Sequence, residues 1–360
     1  MKFLGKTKLL QKSGLGGECN EMIVEKQYMR LLIIWVVVVL VFTHCTKFEE
    51  LLSPEEFPID LFESNFPHEV GYYDPRGGAY GVVIANSYVY LTDLPYGLSI
   101  IDVSDPSNPN EVGFFYHPAC SEIDVAFPYA YIGDKTYAYY GVWIIDVSDP
   151  SNPREMGFCG LSGSPNRITA IDSYVYVAAG NAGLRIIDVS NPSLPQEVGC
   201  YDTPGFTTDV TVSGYYAYVA DWSHGLIILD ISDPSLPQEI GHYEKQGLAC
   251  KLAVINNHAY IVDLDTAGFW IVDISTPSSP QEVGLYELLV PAQNIAVWGS
   301  FLYIADMEAG LRVIDISQPS APKEIGYCDV GGYVGGVAVS NSYAYVTAGY
   351  TGLWVIRVEP

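Results

Sequence analysis

Seven positions, each nine residues before a tyrosine that returns along the chain, hold Gly81, Glu122, Arg167, Asp209, Lys251, Asn294 and Gly336. The residues one and three further on are apolar at every repeat, from Val82 and Ile84 to Val337 and Val339. Side chains of a strand alternate between its faces, so the polar set points away from that apolar pair, toward a central channel. The signs of Glu122, Arg167, Asp209 and Lys251 alternate, which has two chemical meanings. Neighbouring opposite charges would satisfy one another and plug the channel, as buried charges require. Alternatively, they would grip a ligand at its mouth, helped by Asp124, Thr169 and Thr211, two residues beyond three of the polar positions.

A second set stands three residues after the same tyrosines: Asp93, Asp134, Asp221, Asp263 and Asp306, with Ala179 and Ala348 in the remaining two repeats. Strand order puts these loops on the same face as the polar ring. An acidic rim there would attract a cation, a basic peptide or a set of sugar hydroxyls. Aspartate also suits the shoulder of a hairpin, which needs no ligand. Tyr96, Tyr137, Tyr139, Tyr140, Trp222 and Tyr350 share these loops and would either stack on sugar rings or pack the rim. A metal-in-channel hydrolase or lactonase would have to draw on Glu122, Asp124, Asp209 and Asn294, with no histidine among them. His117 and Cys120 are close enough in sequence to be drawn as a nucleophile pair. No Gly-x-Ser-x-Gly elbow, HExxH or phosphate-binding glycine loop occurs. Nor do His68, His117, His224, His242 and His258 follow metal-ligand spacing. No catalytic residue and no resident metal or cofactor is therefore assigned.

The elements that must position these residues are set by repetition. Glu-[Val/Ile/Met]-Gly begins at Glu69, Glu111, Glu155, Glu197, Glu239, Glu282 and Glu324, at intervals of 42 to 44 residues. Tyr90, Tyr131, Tyr176, Tyr218, Tyr260, Tyr303 and Tyr345 keep the same period and are expected to pack between repeats. Each period holds four strand-length segments, in the first case GVVIA (81–85), YVYLTD (88–93), GLSIIDVS (97–104) and NEVGFF (110–115). A period near 40 with strand composition means propeller blades or a solenoid. The chain ends after the third strand of its last repeat, while a surplus fourth-type strand, EVGYY (69–73), precedes the first. Pairing the two closes a ring and removes its exposed edges, whereas a solenoid would need caps. The expectation is an all-β, seven-bladed β-propeller of four-stranded antiparallel blades over residues 68–360.

Within the third strand, GLSIIDVSDP (97–106), GVWIIDVSDP (141–150), GLRIIDVSNP (183–192), GLIILDISDP (225–234), GFWIVDISTP (268–277) and GLRVIDISQP (310–319) recur. This repeat resembles the LVIVD-repeat family of bacterial and archaeal surface proteins. The resemblance covers residues 68–360; Arg357 departs from it where aspartate is expected. It implies a cell-surface propeller and supplies no catalytic residue. The aspartates of the motif are expected to accept backbone hydrogen bonds in the following turn. A Ca²⁺ site at Asp-x-Ser-Asp is the alternative, weakened by Asn191, Thr276 and Gln318 at the second acidic position.

Composition narrows the partners. There are 42 Asp and Glu against 17 Lys and Arg, a net charge of −25, which excludes nucleic acid because phosphate affinity comes mainly from basic side chains. The apolar run LLIIWVVVVLVF (31–42) is short for a membrane span but fits the apolar core of an export signal. Met29 would open a compact signal, MRLLIIWVVVVLVFTHC, leaving residues 1–28 upstream of the true start; if translated, their five lysines extend its basic region. Cys45 resembles a bacterial lipidation site, although Phe42 and His44 depart from that pattern. An uncleaved signal anchor or a conventional cleaved signal would serve equally. Residues 1–45 are thus read as export signal and anchor, and 46–67 as an acidic linker. Besides Cys19 and Cys45 there are five cysteines, Cys120, Cys159, Cys200, Cys250 and Cys328, which form neither a metal pattern nor an even disulfide framework. Together these features predict an exported, envelope-anchored binding scaffold whose partner is a protein, glycan or cation. An extracytoplasmic metal-dependent hydrolase is the alternative, and a purely structural envelope role a third reading.

Overall fold

The computed structural model describes residues 66–136, 140–245, 247–265, 267–288, 291–307 and 310–359. The apolar run at 31–42 and Cys45 lie outside them. The described residues form seven four-stranded antiparallel sheets, and none of them is helical. Blades 1 to 6 occupy residues 78–116, 120–160, 167–201, 207–243, 249–287 and 294–328, each with its strands in sequence order. Blade 7 takes three strands from residues 336–357 and its fourth from His68–Tyr73, which pairs antiparallel with Leu353–Arg357. The ring is therefore closed by the N-terminal strand, as the surplus repeat predicted.

Strand position in the blade decides burial. The second and third strands, such as Tyr88–Leu94 and Gly97–Asp102, are buried almost throughout, because blades cover both of their faces. The fourth strand, for example Gln196–Tyr201, is largely exposed at the rim of the ring. The core lies between blades. Tyr90, Leu98 and Ile100 of blade 1 pack against Cys120, Ile123, Ala130, Ile132 and Ile145 of blade 2. The seven repeated tyrosines are at most 4% exposed, in agreement with a packing role. Each such side chain, fully buried, contributes about 1.5–3 kcal/mol.

The Glu-x-Gly element fits a second contact between blades. A Cβ at Gly113 would stand 1.8 Å from the carbonyl oxygen of Pro150, in the proline turn of the next blade; at Gly199 the distance to Pro234 is 2.0 Å. Only glycine allows that approach. Blade 7 has no proline turn, and Pro67 takes its place: a Cβ at Gly326 would meet Pro67 Cδ at 2.5 Å. The glutamate of the element joins the same seam, since the hydroxyl of Tyr73 donates to Glu111 at 2.6 Å across the closing interface.

The motif aspartates cap the turns that end the third strands. Asp102, Asp146, Asp188, Asp230, Asp273 and Asp315 each accept a bond from the backbone N–H of the serine two residues on, at 2.8–2.9 Å. Asp105, Asp149 and Asp233 do the same for the next serine. Turn capping thus accounts for Asp-x-Ser-Asp. Hydrogen bonds from Ser232 hold the Asp230 carboxyl below its ordinary value of 3.8. A folded pKa below the unfolded one means stability present above pH 3.8 and lost as pH falls through the folded value. The Tm advantage of the wild-type chain over Asp230→Asn should therefore shrink as pH is lowered below 3.8. A pH-independent gap in calorimetry from pH ~7 to ~2.5 would contradict this linkage.

Candidate functional site

The innermost strand of every blade borders the axis of the ring, and its alternation sets which residues face the channel. In several blades the strand also carries a bulge just before the polar position. Pairing shifts between Cys120 and Glu122, between Thr207 and Asp209, and between Ala249 and Lys251. A bulge inserts an unpaired residue and re-aims the next side chain. Ser121, Thr208 and Cys250 are the inserted residues. Period-2 reasoning found the polar ring; the bulges carry no signature in spacing alone.

At the mouth of the channel lies a cavity of about 380 Å³. Glu122, Arg167, Lys251 and Asn294 line it, as does Gly81, so the structure brings together most of the expected ring. Lys135, Ser121, Gln293, Tyr80 and Tyr333 also line it and were not among the expected residues. They come from loops and bulges, whose approach to the axis depends on the closed ring. Asp209 lies below the surface of the cavity, 2% exposed.

The charges of the ring are only partly paired. Lys135 Nζ bonds Glu122 Oε1 at 3.2 Å. Arg167 Nε stands 3.5 Å from Asp209 Oδ1, a Coulombic contact too long to satisfy the N–H, which is left without a hydrogen-bond partner. Asp209 is instead committed to the backbone, accepting from Val210 N at 2.8 Å and from Leu252 N of the next blade at 2.9 Å. Asp124 does likewise with Val125 N at 2.9 Å and Ala170 N at 2.7 Å. Burial raises both carboxyls above the ordinary range. Thr169 and Thr211 also bond across blades, donating to the carbonyls of Val210 and Leu252. These residues stitch adjacent blades at the channel wall.

The carboxylates required for a metal-in-channel hydrolase are therefore divided. Glu122 faces the cavity with Lys135 on it, while Asp124 and Asp209 hold backbone amides. Among the described residues, no three His, Cys, Asp or Glu are grouped to hold a metal ion. The His117–Cys120 pair has no support in the structure. Cys120 is fully buried and burial raises its thiol well above the ordinary value, while burial lowers His117.

The acidic rim requires a correction. Asp93, Asp134, Asp221, Asp263 and Asp306 are at most 5% exposed and present no carboxylate rim to solvent. In blades 1, 4 and 5 the entering loop folds over the shoulder of the hairpin. Asp93 accepts from Arg76 N at 2.8 Å, Asp221 from Gly205 N at 2.8 Å and Thr203 Oγ1 at 2.9 Å, and Asp263 from Leu248 N at 2.7 Å. Asp134 accepts from Thr136 N at 2.8 Å and Trp143 Nε1 at 3.3 Å, and Asp306 pairs with Arg312. Of the loop aromatics, Tyr96 and Tyr350 are exposed, and Trp222 packs edge-on against Phe206 at 5.9 Å. Tyr137 and Tyr139 lie outside the described residues.

The sequence description of the LVIVD repeat matches residues 76–116, 120–160, 162–203, 204–245, 246–287, 291–330 and 331–358. No curated protein matches the chain. Among solved structures, the chain is similar to the β-propeller domain of Myceliophteria thermophila Cps50 (Swd1), at 9% identity and a TM-score of 0.66, over 81% of this chain and 100% of that one. It is similar also to YCF48 bound to D1 peptide, at 10% identity and a TM-score of 0.61, over 83% of this chain and 98% of that one. BamB from Moraxella catarrhalis gives 13% identity and a TM-score of 0.53, over 77% of this chain and 82% of that one. At such identities the likeness is one of fold.

Proposed function

The chain belongs to the LVIVD-repeat family, and from that premise we propose that it is an exported, envelope-anchored propeller that binds a partner protein on the channel-mouth face. One observation carries the reading. The elements that recur in every blade are engaged in the scaffold, whereas the residues that differ between blades converge on one open cavity. A scaffold alone would gain nothing from making those residues different. YCF48, a propeller of similar fold, is known bound to a peptide, which supports a protein partner over a purely structural role. Export and anchoring rest on the run at 31–42 and on Cys45.

The face can be tested without knowing the partner. A photo-crosslinking residue at Tyr333, which lines the cavity, or at Tyr350, exposed on the loop between Thr347 and Leu353, is expected to capture one discrete protein in intact cells. The same group at Leu194 or Leu236, exposed in proline turns at the opposite end of the strands, is expected to capture none. Equal capture from both ends would overturn the assignment of the face.

A further inference from the structure

We propose that the channel mouth is a receptor for a single carboxylate, carried by the partner protein as a chain terminus or an acidic side chain. The inference rests on the channel-mouth reading of the partner site and gives the chemistry of the group that enters.

Basic residues are scarce in this chain, 17 against 42 acidic ones, yet Lys135, Arg167 and Lys251 all line one cavity. The acids close to them already have other work. Glu122 holds Lys135, and the buried Asp124 and Asp209 each accept two backbone N–H groups. Among the described residues, the Lys251 ammonium has no ion-pair partner, and Arg167 has only its long contact with Asp209. What remains is the Lys251 ammonium, which lines a space of about 380 Å³ with no carboxylate of the described residues within ion-pair distance. A carboxylate matches that balance, whereas a phosphate dianion exceeds it.

Two donor atoms on residues that line the cavity lack partners. Arg167 Nε and Ser121 Oγ are buried without a hydrogen bond. Buried polar groups are rarely left so, because an unmade bond at such a group is costly. A carboxylate accepts through both oxygens and pairs readily with a guanidinium fork. The rings of Tyr80 and Tyr333, 41% and 50% exposed, flank the entrance and would cover the chain that carries the carboxylate. The sign of the ligand is thus opposite to that expected from the buried aspartates of the supposed rim.

The test uses the full chain and ligand-observed NMR with three N-acetylated tripeptides. One, Gly-Phe-Gly, ends in a free carboxylate; the second is its neutral amide; the third, Gly-Phe-Asp amide, carries the acid on a side chain. Binding by either acid and not by the neutral amide is the expected result, and the acid that binds identifies the source. Lys251→Gln is expected to weaken that binding at least tenfold with an unchanged Tm, and Lys251→Arg to restore it. Equal binding of the amide, tighter binding of inorganic phosphate or of spermidine, no binding of either acid, or full affinity in Lys251→Gln would each overturn the inference. Crosslinking at Tyr350 reads the choice of face separately, so failure here leaves that result standing.

Discussion

Deletion of His68–Tyr73 is expected to cost the ring about 5 kcal/mol or more, a large share of the roughly 5–15 kcal/mol that holds an ordinary domain together. The segment makes five paired positions with Leu353–Arg357, from His68 opposite Arg357 to Tyr73 opposite Leu353. At about 1 kcal/mol net for each hydrogen bond, the ladder alone supplies most of that figure. Val70 and Tyr73 also pack on the cluster of Leu353, Val355, Ala79 and Leu91, which joins blade 7 to blade 1. The Tyr73 hydroxyl bonds Glu111, which also pairs with Arg76. Without the segment, Leu353–Arg357 becomes an open sheet edge, a template for pairing with another chain. Denaturant unfolding of the deleted chain should show a lower midpoint and concentration-dependent aggregation. The peptide HEVGYY, added in trans, should raise the midpoint again. An unchanged midpoint would mean that the ring closes by some other contact.

That closure was legible because it leaves a mark in the order of repeats: a fourth-type strand stands ahead of the first blade and the last blade lacks one. The packing of Tyr90 and its six counterparts was legible for a similar reason, since a bulky residue kept at one place in every blade meets the same neighbour every time. The polar ring followed from alternation along the innermost strand. What spacing does not encode is which loop covers which side chain. Asp221 reads as an exposed hairpin shoulder until residues 203–205 fold over it, and nothing in its own repeat announces that contact. Ser121 is invisible for a different reason. It is the extra residue of a bulge, and a bulge appears only when the two strands are paired. The repeated residues were therefore read correctly as scaffold, while the sign of the cavity depended on contacts formed only in the closed ring.

Asp221 offers the sharpest test of that distinction, because the two views of it predict opposite outcomes. If it belonged to a solvent-facing acidic rim, removing its charge would weaken a cation or basic ligand and leave stability alone. In the structure it is fully buried, accepts from Gly205 N at 2.8 Å and from Thr203 Oγ1 at 2.9 Å, and has His224 Nδ1 at 3.7 Å. Asp221→Ala leaves a buried backbone donor and a hydroxyl without their acceptor, together with a small void. Breaking such a network costs about 3–5 kcal/mol. In chemical denaturation the variant should lose that much, whereas Asp105→Ala, at an exposed turn cap, should lose only about 1 kcal/mol or less. The remaining folded Asp221→Ala should still bind the acid tripeptides, since its site lies at the shoulder of blade 4 and does not line the cavity. A stable Asp221→Ala that had lost a ligand would return the acidic rim to the surface. An unstable one that still takes a carboxylate would place this carboxylate in the frame of the ring and leave recognition to Arg167 and Lys251.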